Sequence, residues 1–294
     1  MTDASNLAPA PALRVQHIVV LIITFRRQQG LATLLEALAN QRGRGTDYRL
    51  SVVVCDNDEA CTARPVADSA GVLYVAEPRR GIPMARNKAL AATPADADFI
   101  CFIDDDEAPP TGWIAALLAT QRQSGAGAVL GPVIPVFPPG TENSWAVRSG
   151  LLQRRRNPDG GPINYGATNN CLVSWPFVRD QGLKFDERMR FTGGSDFRFF
   201  RQALDRGLTI NWAEAAAIEE AFPAERLRLS WVLARQFRTG NTYGIHDRLE
   251  GGAVRFARRL ATGIARIGLG TLMLPALPFS PRLGGRALAH ILRG

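Results

Sequence analysis

The first 123 residues alternate short apolar runs with segments of helical periodicity. Short, nearly continuous apolar runs are typical of strands that are covered on both faces. Because strands that alternate with helices pair in parallel, we predict an α/β fold with a mostly parallel, doubly wound sheet. The predicted strands are residues 17–25, 50–55, 71–76 and 99–103, and the predicted helices are residues 30–41, 83–92 and 111–123, the last with Thr111 as N-cap.

The chain is long and apolar enough to bury a large core. Its 294 residues are 46% hydrophobic, which suits one large α/β domain with an appendage. Charged residues at 21% and a mean hydropathy of −0.06 exclude a wholly disordered chain. The four cysteines show no CxxC spacing, so we expect reduced core residues in a cytosolic protein. No pattern predicts a signal peptide, and residues 1–14 are expected to be a flexible leader.

Positive charge is concentrated in the last quarter of the chain. Residues 226–294 contain 12 arginines and two acids, which gives this segment a net charge of +10. Residues 1–225 have a net charge of −2, so the whole chain has +8. We therefore predict a body at residues 15–225 and a basic helical extension at residues 226–294. Such a charge asymmetry indicates an anionic partner for the extension, either a membrane surface or a nucleic acid.

Residues 253–267 predict an amphipathic helix within this extension. An aliphatic face opposite an arginine face is typical of a helix that lies in a membrane interface and is drawn to anionic lipid. The alternative is a helix packed on the body with its arginines in water. A nucleic-acid partner is disfavoured because no aromatic side chains interleave with the basic ones. The apolar face is formed by Val254, Ala257, Leu260, Ala261, Ile264 and Ile267, and the basic face by Arg255, Arg258, Arg259 and Arg266.

Polar side chains follow three of the predicted strands. Residues 24–27 read TFRR, residues 56–58 read DND, and residues 104–107 read DDDE. In open α/β sheets, ligands bind beyond the carboxyl ends of the strands. Four consecutive acids repel one another unless a cation or hydrogen-bond donors offset their charge. We therefore predict a site there for a diphosphate with Mg²⁺ or Mn²⁺.

Two common nucleotide-binding motifs are missing. The first strand is followed by TFRRQQG rather than by GxGxxG, and no GxxxxGK[ST] loop occurs. These absences argue against NAD-dependent enzymes and P-loop nucleotidases. They leave metal and arginine to hold the phosphates.

An ordered series of motifs covers about three quarters of the chain and resembles family 2 glycosyltransferases, which have a GT-A fold. Among these, the motifs are similar to those of bacterial exopolysaccharide glucosyltransferases of the succinoglycan-assembly type. The resemblance implies metal-dependent, inverting transfer of a sugar from a nucleotide-sugar donor. The motifs run from Thr24 to Gly244: TFRR, VVVCDND, GIPMARN, FICFIDDDE, AVLGPV, GATNNCLV, FTGGSDFRFF and PAERLRLSWVLARQFRTGNTYG.

The resemblance assigns expected roles around the donor. Asp56 matches the acid that contacts the base, usually uracil. Asp104 is expected toward the ribose, and Asp106 on a Mn²⁺ or Mg²⁺ ion. The remaining residues expected to bind the nucleotide are Thr24, Arg26, Arg86, Asn87 and Asp105.

The resemblance also places the catalytic base at Asp196, the acid of the family's Glu-Asp motif. A carboxylate there would take the proton of the acceptor hydroxyl as it attacks the anomeric carbon. An N-cap role in the following helix is compatible with this. Two departures from the family stand out: Ser195 replaces the usual Glu, and Glu219-Glu220 replace a His near the metal, so Glu220 is expected as a second metal ligand.

Acceptor and location also follow from the resemblance. Trp231 is expected to line the acceptor site, although a purely packed role for it is equally compatible with the sequence. Arg235 and Arg238 are expected to meet the acceptor's diphosphate. The expected reaction moves a hexose, taken to be glucose, from a UDP-sugar to a polyprenyl-diphosphate-linked saccharide. It would occur at the cytoplasmic face of the bacterial inner membrane, to which the extension would bind.

Two alternatives remain open at this stage. A nucleotidyltransferase would share much of the chemistry, but it should carry a GxGxR-type loop after the first strand, and the chain does not. A catalytically inactive GT-A-like binding protein, with a tail that docks on a membrane or RNA, is kept open by the two departures.

Overall fold

A computed structural model describes residues 15–250 and 252–294 of the chain, so the predicted leader lies outside the described residues. Within these residues, the strands form an eight-stranded and a three-stranded sheet. The strands are β1 (Gln16–Thr24), β2 (Tyr48–Asp56), β3 (Leu73–Ala76), β4 (Phe99–Phe102), β5 (Glu107–Ala108), β6 (Ala128–Leu130), β7 (Val133–Val136), β8 (Pro162–Ile163), β9 (Cys171–Ser174), β10 (Ile210–Trp212) and β11 (Ile218–Ala221). The helices are α1 (Gln28–Ala39), α2 (Arg64–Ser69), α3 (Ile82–Ala91), α4 (Trp113–Ser124), α5 (Trp145–Arg148), α6 (Trp175–Asp180), α7 (Ser195–Asp205), α8 (Leu229–Glu250), α9 (Gly252–Met273) and α10 (Pro281–Arg293). Short 3₁₀ turns occur at Glu187–Met189, Glu214–Ala216, Ala224–Leu227 and Leu274–Ala276.

The large sheet has the strand order β3-β2-β1-β4-β9-β6-β10-β8. Strands β3, β2, β1 and β4 run parallel, which confirms the α/β fold predicted from the first 123 residues. The second half is mixed, because β9 enters antiparallel between β4 and β6, and β8 is antiparallel to β10. The sheet is therefore parallel on the side where the acidic turn follows β4.

Two apolar cores cover the two faces of this sheet. Successive side chains of a strand point to opposite faces, so Val20 of β1 packs with α1, α2 and α4, whereas Val19 packs with α3, α6 and α7. Helix α1 buries one apolar face, as its helical spacing predicts. The residues of that face are Leu31, Leu34, Leu35 and Leu38.

The expected N-cap of α4 is wrong by one residue. Gly112, not Thr111, occupies the N-cap position, and it has no side chain to donate or accept. Gln41, in the loop after α1, takes the place of an N-cap side chain. Its Oε1 accepts a hydrogen bond from the backbone N–H of Ile114 at 3.2 Å. Tertiary contact therefore satisfies a helix end that local sequence does not.

The cysteines are free thiols, as expected. Cys55, Cys101 and Cys171 are buried in the sheet, and Cys61 is half-buried in the loop after β2. Burial raises the pKa of Cys55 to about 12, so this thiol is unreactive at neutral pH.

The small sheet has the order β5-β11-β7 and lies against the acidic turn. Glu220 of β11 is paired directly opposite Glu107 of β5 in an antiparallel ladder. The alternation of buried and exposed residues along β11 turns Glu220 inward and Glu219 to solvent. This second sheet thus brings Glu220 next to the DDDE sequence, which is more than 100 residues away along the chain.

The basic extension is helical, and its helices pack through glycines. A Cβ at Gly263 of α9 would lie 2.4 Å from the Gly294 carbonyl oxygen, and one at Gly270 would lie 2.6 Å from that of Ala287 on α10. Arg293 donates a hydrogen bond to the buried Gln236 of α8 at 2.7 Å. No helix in residues 15–250 and 252–294 combines the length and apolar character needed to cross a bilayer.

Candidate active site

A cleft of about 340 Å³ opens at the carboxyl ends of β1 and β4. Four carboxylates and three guanidinium groups line it beside apolar side chains. The apolar part of its lining comes from the loop after β1 and the start of α3. The charged residues lining the cleft are Asp104, Asp105, Asp106, Glu220, Arg27, Arg86 and Arg226.

Each aspartate of the acidic turn faces an arginine. Arg27 Nη1 donates to Asp105 Oδ1 at 2.8 Å and to Asp106 Oδ2 at 2.9 Å. Arg86 Nη2 lies 3.6 Å from Asp104 Oδ1. Donated hydrogen bonds and positive charge therefore offset the mutual repulsion of the turn.

Asp105 is the most deeply held of these acids. Besides the bond from Arg27, its Oδ2 accepts a hydrogen bond from Thr24 Oγ1 at 2.7 Å. Thr24 and Asp105 are both buried, and this bond ties the end of β1 to the acidic turn. The two predicted nucleotide-binding residues thus lie together at the cleft wall.

Glu107, the last acid of the DDDE sequence, is hydrogen-bonded to the backbone of the acidic turn. Its Oε2 accepts a hydrogen bond from the backbone N–H of Asp104 at 2.8 Å, while its buried Oε1 has no hydrogen-bond partner. Burial, reinforced by the charges of Asp104 and Glu220, raises the pKa of Glu107 well above its usual value. Desolvation in the cleft likewise raises the pKa of Asp104 to about 6, which Arg86 opposes.

Two further arginines meet Glu220 from the other side. Arg154 is hydrogen-bonded to Glu220 Oε2, so the start of the loop after α5 is anchored in the site. Arg226 lies between two acids, with Nη1 3.5 Å from Glu220 Oε1 and Nη2 3.6 Å from Asp106 Oδ2. One guanidinium group therefore bridges the two predicted metal ligands.

The chemistry of these carboxylates fits a hard divalent cation. Mg²⁺ in nucleotide sites is commonly held by one or two carboxylates together with substrate phosphates. Asp106 and Glu220 supply two such carboxylates beside one cleft. Among the described residues, no three His, Cys, Asp or Glu side chains form a ready-made metal cluster, so phosphate oxygens would have to complete the coordination.

The predicted base-contacting acid lies behind the cleft. Asp56 is fully buried, and its carboxylate accepts hydrogen bonds from the backbone N–H groups of Asp58 and Ala63 and from the Tyr74 hydroxyl. A carboxylate offers about four acceptor positions, so one remains. The neighbouring Asn57, rather than Asp56, lines the cleft.

Arg26 and Asn87 are also engaged outside the cleft. Arg26 has a positive φ of 56° and pairs with Asp58 through Nε and Nη2 at 3.2 and 3.3 Å. This pairing lowers the pKa of Asp58. Asn87 of α3 exchanges two hydrogen bonds with the backbone of Phe185 and so ties α3 to the segment before α7.

A second, smaller hollow surrounds Asp196. Asp196 lies in the first turn of α7, whose N-cap is Gly194, so the alternative in which Asp196 is itself the N-cap is wrong. Phe199 of the same helix stacks on Phe185 with ring centroids 4.3 Å apart, which fixes the helix to the core. The hollow of about 250 Å³ is lined by Gly193, Gly194, Asp196, Phe197, Arg238, Thr239, Thr242 and Tyr243.

The three predicted acceptor residues lie along α8 between the two hollows. Trp231 packs edge-on against Phe222 at 5.7 Å, and the guanidinium groups of Arg226 and Arg235 lie 5.8 and 5.4 Å from its ring centroid. Trp231 therefore supports two arginines, in addition to any contact with an acceptor. Arg238, three residues after Arg235, reaches the hollow of Asp196.

The arginines on α8 form a region of surplus positive charge. Burial, together with the nearby Arg154, Arg238 and Arg226, lowers the pKa of Arg235 to about 10. In the described part of the chain, no carboxylate pairs with Arg235 or Arg238. Uncompensated arginines beside a cleft favour an anionic ligand.

Sequence reasoning missed Arg27, Arg154 and Arg226. The DDDE sequence signals that cations must lie nearby, but it does not say which of the many arginines supply them. Arg154 and Arg226 reach the turn only through the small sheet, whose pairing is not visible in the sequence.

The fold and this cleft define a GT-A-like α/β protein, and comparison with known proteins identifies the family. Residues 19–180 match glycosyl transferase family 2, and the chain belongs to this family. It is 33% identical, over 93% of its length and 90% of the relative's, to the succinoglycan biosynthesis protein ExoM of Rhizobium meliloti. It is 26% identical over its whole length to the pre-mycofactocin glycosyltransferase of Mycobacterium tuberculosis, of which it covers 62%.

Solved structures show the same fold. Residues 1–349 of TarS from S. aureus, in complex with UDP-GlcNAc, superpose with a TM-score of 0.55 at 15% identity, covering 94% of this chain and 89% of that one. The predicted family and GT-A fold are thus confirmed, and the chain is a family 2 glycosyltransferase related to a protein of succinoglycan synthesis.

Proposed function

We propose that this glycosyltransferase moves a hexose from a UDP-sugar to a lipid-linked saccharide, with inversion at the anomeric carbon. One observation carries the proposal: Arg235 of α8 lies near Arg226, which lines the acidic donor cleft, and near Arg238, which lines the hollow of Asp196. The relation to ExoM supports an acceptor in exopolysaccharide assembly, and the TarS complex supports a UDP-sugar donor.

The acidic turn holds the donor in this proposal. Asp104 faces the ribose, and Asp106 with Glu220 holds Mn²⁺ or Mg²⁺ against the diphosphate. When bound, the cation stabilises the negative charge of the departing nucleoside diphosphate. The uracil lies at the Thr24 and Asn57 end of the cleft, on the side of Arg26 and in front of the buried Asp56, and Arg86 closes the phosphate side.

Asp196 is the general base. It takes the proton of the acceptor hydroxyl while that oxygen attacks the anomeric carbon from the face opposite the diphosphate. The Gly193-Gly194 backbone, at φ values of 75° and 83°, leaves room for a sugar ring beside the carboxylate. Ser195, where the family usually has Glu, is buried and turned away from this hollow.

Arg235 and Arg238 hold the anionic end of the acceptor. The diphosphate of a polyprenyl-diphosphate carries negative charge that would pair with these two arginines. Bound there, it would place the attached sugar toward Asp196. The basic extension then brings the enzyme to the membrane in which such an acceptor resides.

The exposed face of α9 supports this location. All six apolar residues predicted to share one side of the helix are exposed, among them Val254 at 84% and Ile264 at 71%. Arg259 instead turns toward α8 and pairs with Asp247 at 2.6 Å. This arrangement is the opposite of a helix that packs its apolar face on the body, and it favours an interfacial helix at the cytoplasmic face of the inner membrane.

A donor screen tests the proposal. Purified protein with Mn²⁺ or Mg²⁺ is incubated with a panel of nucleotide sugars, UDP-glucose first, with and without bacterial membrane extract, and released UDP is measured. We expect metal-dependent release from one UDP-sugar, stimulated by extract and abolished in Asp106→Ala. Asp196→Asn should keep UDP binding but lose transfer, whereas Asp205→Asn, at the other end of α7, should retain both.

Silence with every donor, together with no UDP binding by calorimetry, would overturn the proposal. It would leave a binding protein of GT-A-like fold. Transfer that persists after metal chelation would support the UDP-sugar donor but contradict the proposed role of the cation.

A further inference from the structure

Resting on this proposed function, we propose that Arg27 and Arg226 are exchange ligands of the donor site. In the donor-free protein they neutralise Asp106 and Glu220. When a nucleoside diphosphate and a divalent cation bind together, the two guanidinium groups transfer to the phosphate oxygens and leave the carboxylates to the cation. The carboxylates are thus protected from binding a cation alone.

Arg27 is built to hold both partners. Positive φ at Arg26 turns the chain after β1, so that Arg27 precedes α1 and its guanidinium group reaches the acidic turn. Only Nη1 is engaged with Asp105 and Asp106, and the side chain is 45% exposed. Because a guanidinium group has five N–H donors, most of them remain available to a phosphate in the cleft.

Arg226 is held more loosely than an ordinary paired arginine. Its distances of 3.5 Å to Glu220 and 3.6 Å to Asp106 exceed the 2.7–2.9 Å that is typical of a charge-assisted hydrogen bond. Its guanidinium carbon lies 5.8 Å from the ring centroids of both Phe222 and Trp231. The aromatic rings keep the cation at the cleft without committing it to either acid.

Charge balance makes the exchange reciprocal. A cation that binds Asp106 and Glu220 while Arg226 still lies between them would meet a positive charge only a few ångströms away. A diphosphate that enters without a cation would meet two carboxylates. When both ligands bind, the diphosphate pairs with the arginines that the cation displaces, and the cation pairs with the carboxylates that would repel the diphosphate. Each ligand therefore strengthens the binding of the other.

Arg154 is not part of the exchange. It is hydrogen-bonded to Glu220, and the neighbouring carboxylates raise its pKa despite its burial. It keeps Glu220 oriented when Arg226 leaves. The exchange therefore concerns the two cleft arginines that pair with Asp106, Arg27 and Arg226, and not Arg154 behind the cleft.

The test compares binding of Mn²⁺ alone with binding of UDP in the presence of Mn²⁺. Free Mn²⁺ is measured by electron paramagnetic resonance, and UDP binding by calorimetry. We expect Arg226→Gln to bind Mn²⁺ alone about tenfold more tightly than the wild type, and UDP with Mn²⁺ about tenfold more weakly. Arg27→Gln should shift both affinities in the same directions.

Two control variants make the result decisive. Arg226→Lys keeps the charge and should retain most of the wild-type behaviour, and Arg122→Gln, on α4 and remote from the cleft, should match the wild type. If Arg226→Gln and Arg27→Gln weaken both bindings, or change neither, the exchange is wrong. If the wild type binds no UDP with Mn²⁺, the proposed function itself fails. Thermal unfolding of each variant confirms that it is folded.

Discussion

Thr242 of α8 fits so closely against Gly194 that a Cβ on residue 194 would lie 2.2 Å from Thr242 Cγ2. Gly194 is the N-cap of α7 and stands two residues before Asp196. The first helix of the basic extension therefore packs directly on the backbone that presents the proposed catalytic base. Body and extension share this wall of the acceptor hollow.

We predict that Gly194→Ala abolishes most activity. The substitution meets both a positive φ of 83° and the Thr242 side chain, so the loop must move and Asp196 moves with it. Gly207→Ala is the matched control, because φ there is 93° but nothing lies within 4 Å of the new Cβ. Each should lose about 1 kcal/mol of stability from backbone strain. Only Gly194→Ala should lose transfer activity, by at least about tenfold, and equal activity in the two variants would contradict the contact's importance.

Glu107 should make stability fall with rising pH. Its folded-state pKa is raised above the usual value near 4.5, so the folded state binds more protons than the unfolded state above that pH. Relative to Glu107→Gln, which keeps an oxygen for the Asp104 N–H, the wild type should lose free energy of unfolding from pH 4.5 upward. The slope approaches about 1.4 kcal/mol per pH unit. Urea unfolding between pH 4.5 and 8 measures it, and Glu59→Gln, at an exposed position, should follow the wild type.

Asn170 should be a large determinant of stability. This fully buried residue has a positive φ of 54°, donates to the carbonyls of Pro132 and Ala216, both at 2.7 Å, and accepts from Trp113 Nε1 at 2.7 Å. Asn170→Ala leaves the buried Trp113 Nε1–H and the Ala216 carbonyl unpaired and removes one of the two donors to the Pro132 carbonyl, so we expect a loss of at least about 3 kcal/mol. Asn169→Ala, at the half-buried neighbour, should cost under about 1 kcal/mol by chemical denaturation. Similar losses in the two variants would disprove this role.

The exposed face of α9 should carry membrane binding. Ile264→Ser removes an aliphatic side chain that the described residues leave 71% exposed. We expect about tenfold weaker binding to vesicles with anionic lipid, measured by flotation, and an unchanged thermal unfolding temperature. Leu73→Ser, at an exposed position of β3, should bind as the wild type does. Flotation that ignores both the substitution and the lipid charge would refute the interfacial role.

Local patterns predicted the first half of the fold well. The four early strands and three helices appear within two residues of their expected ends, because the buried strands are short apolar runs and α1 has a clear apolar face. The second half was less predictable. Its strands are two to four residues long and pair, some parallel and some antiparallel, across long sequence separations, so that neither length nor periodicity identifies them.

The sequence predicted what kind of site this is better than it predicted which side chains pair with the acids. The sequence indicates that the acids at 104–107 need compensating charge, and it identifies Asp104, Asp105 and Asp106 as residues of one cleft. That Arg226 lies between Asp106 and Glu220 depends on how β11 pairs with β5 and β7. Tertiary pairing of this kind has no local signature. The roles of Asp56 and Asn87 toward a nucleotide stay predictions.

Trp231, with the guanidinium groups of Arg226 and Arg235 at 5.8 and 5.4 Å from its ring centroid, is a built-in fluorescent reporter. A charge close to an indole ring shifts the energy of its fluorescence, and Arg226 is such a charge. The chain has five tryptophans, and Trp113, Trp175 and Trp212 are buried in the core, away from the cleft arginines. Subtracting the spectrum of Trp231→Phe would isolate the signal of this one ring. Movement of Arg226 toward a ligand would then shift the emission maximum of Trp231 fluorescence, and neither the protein nor the sugar would need a label.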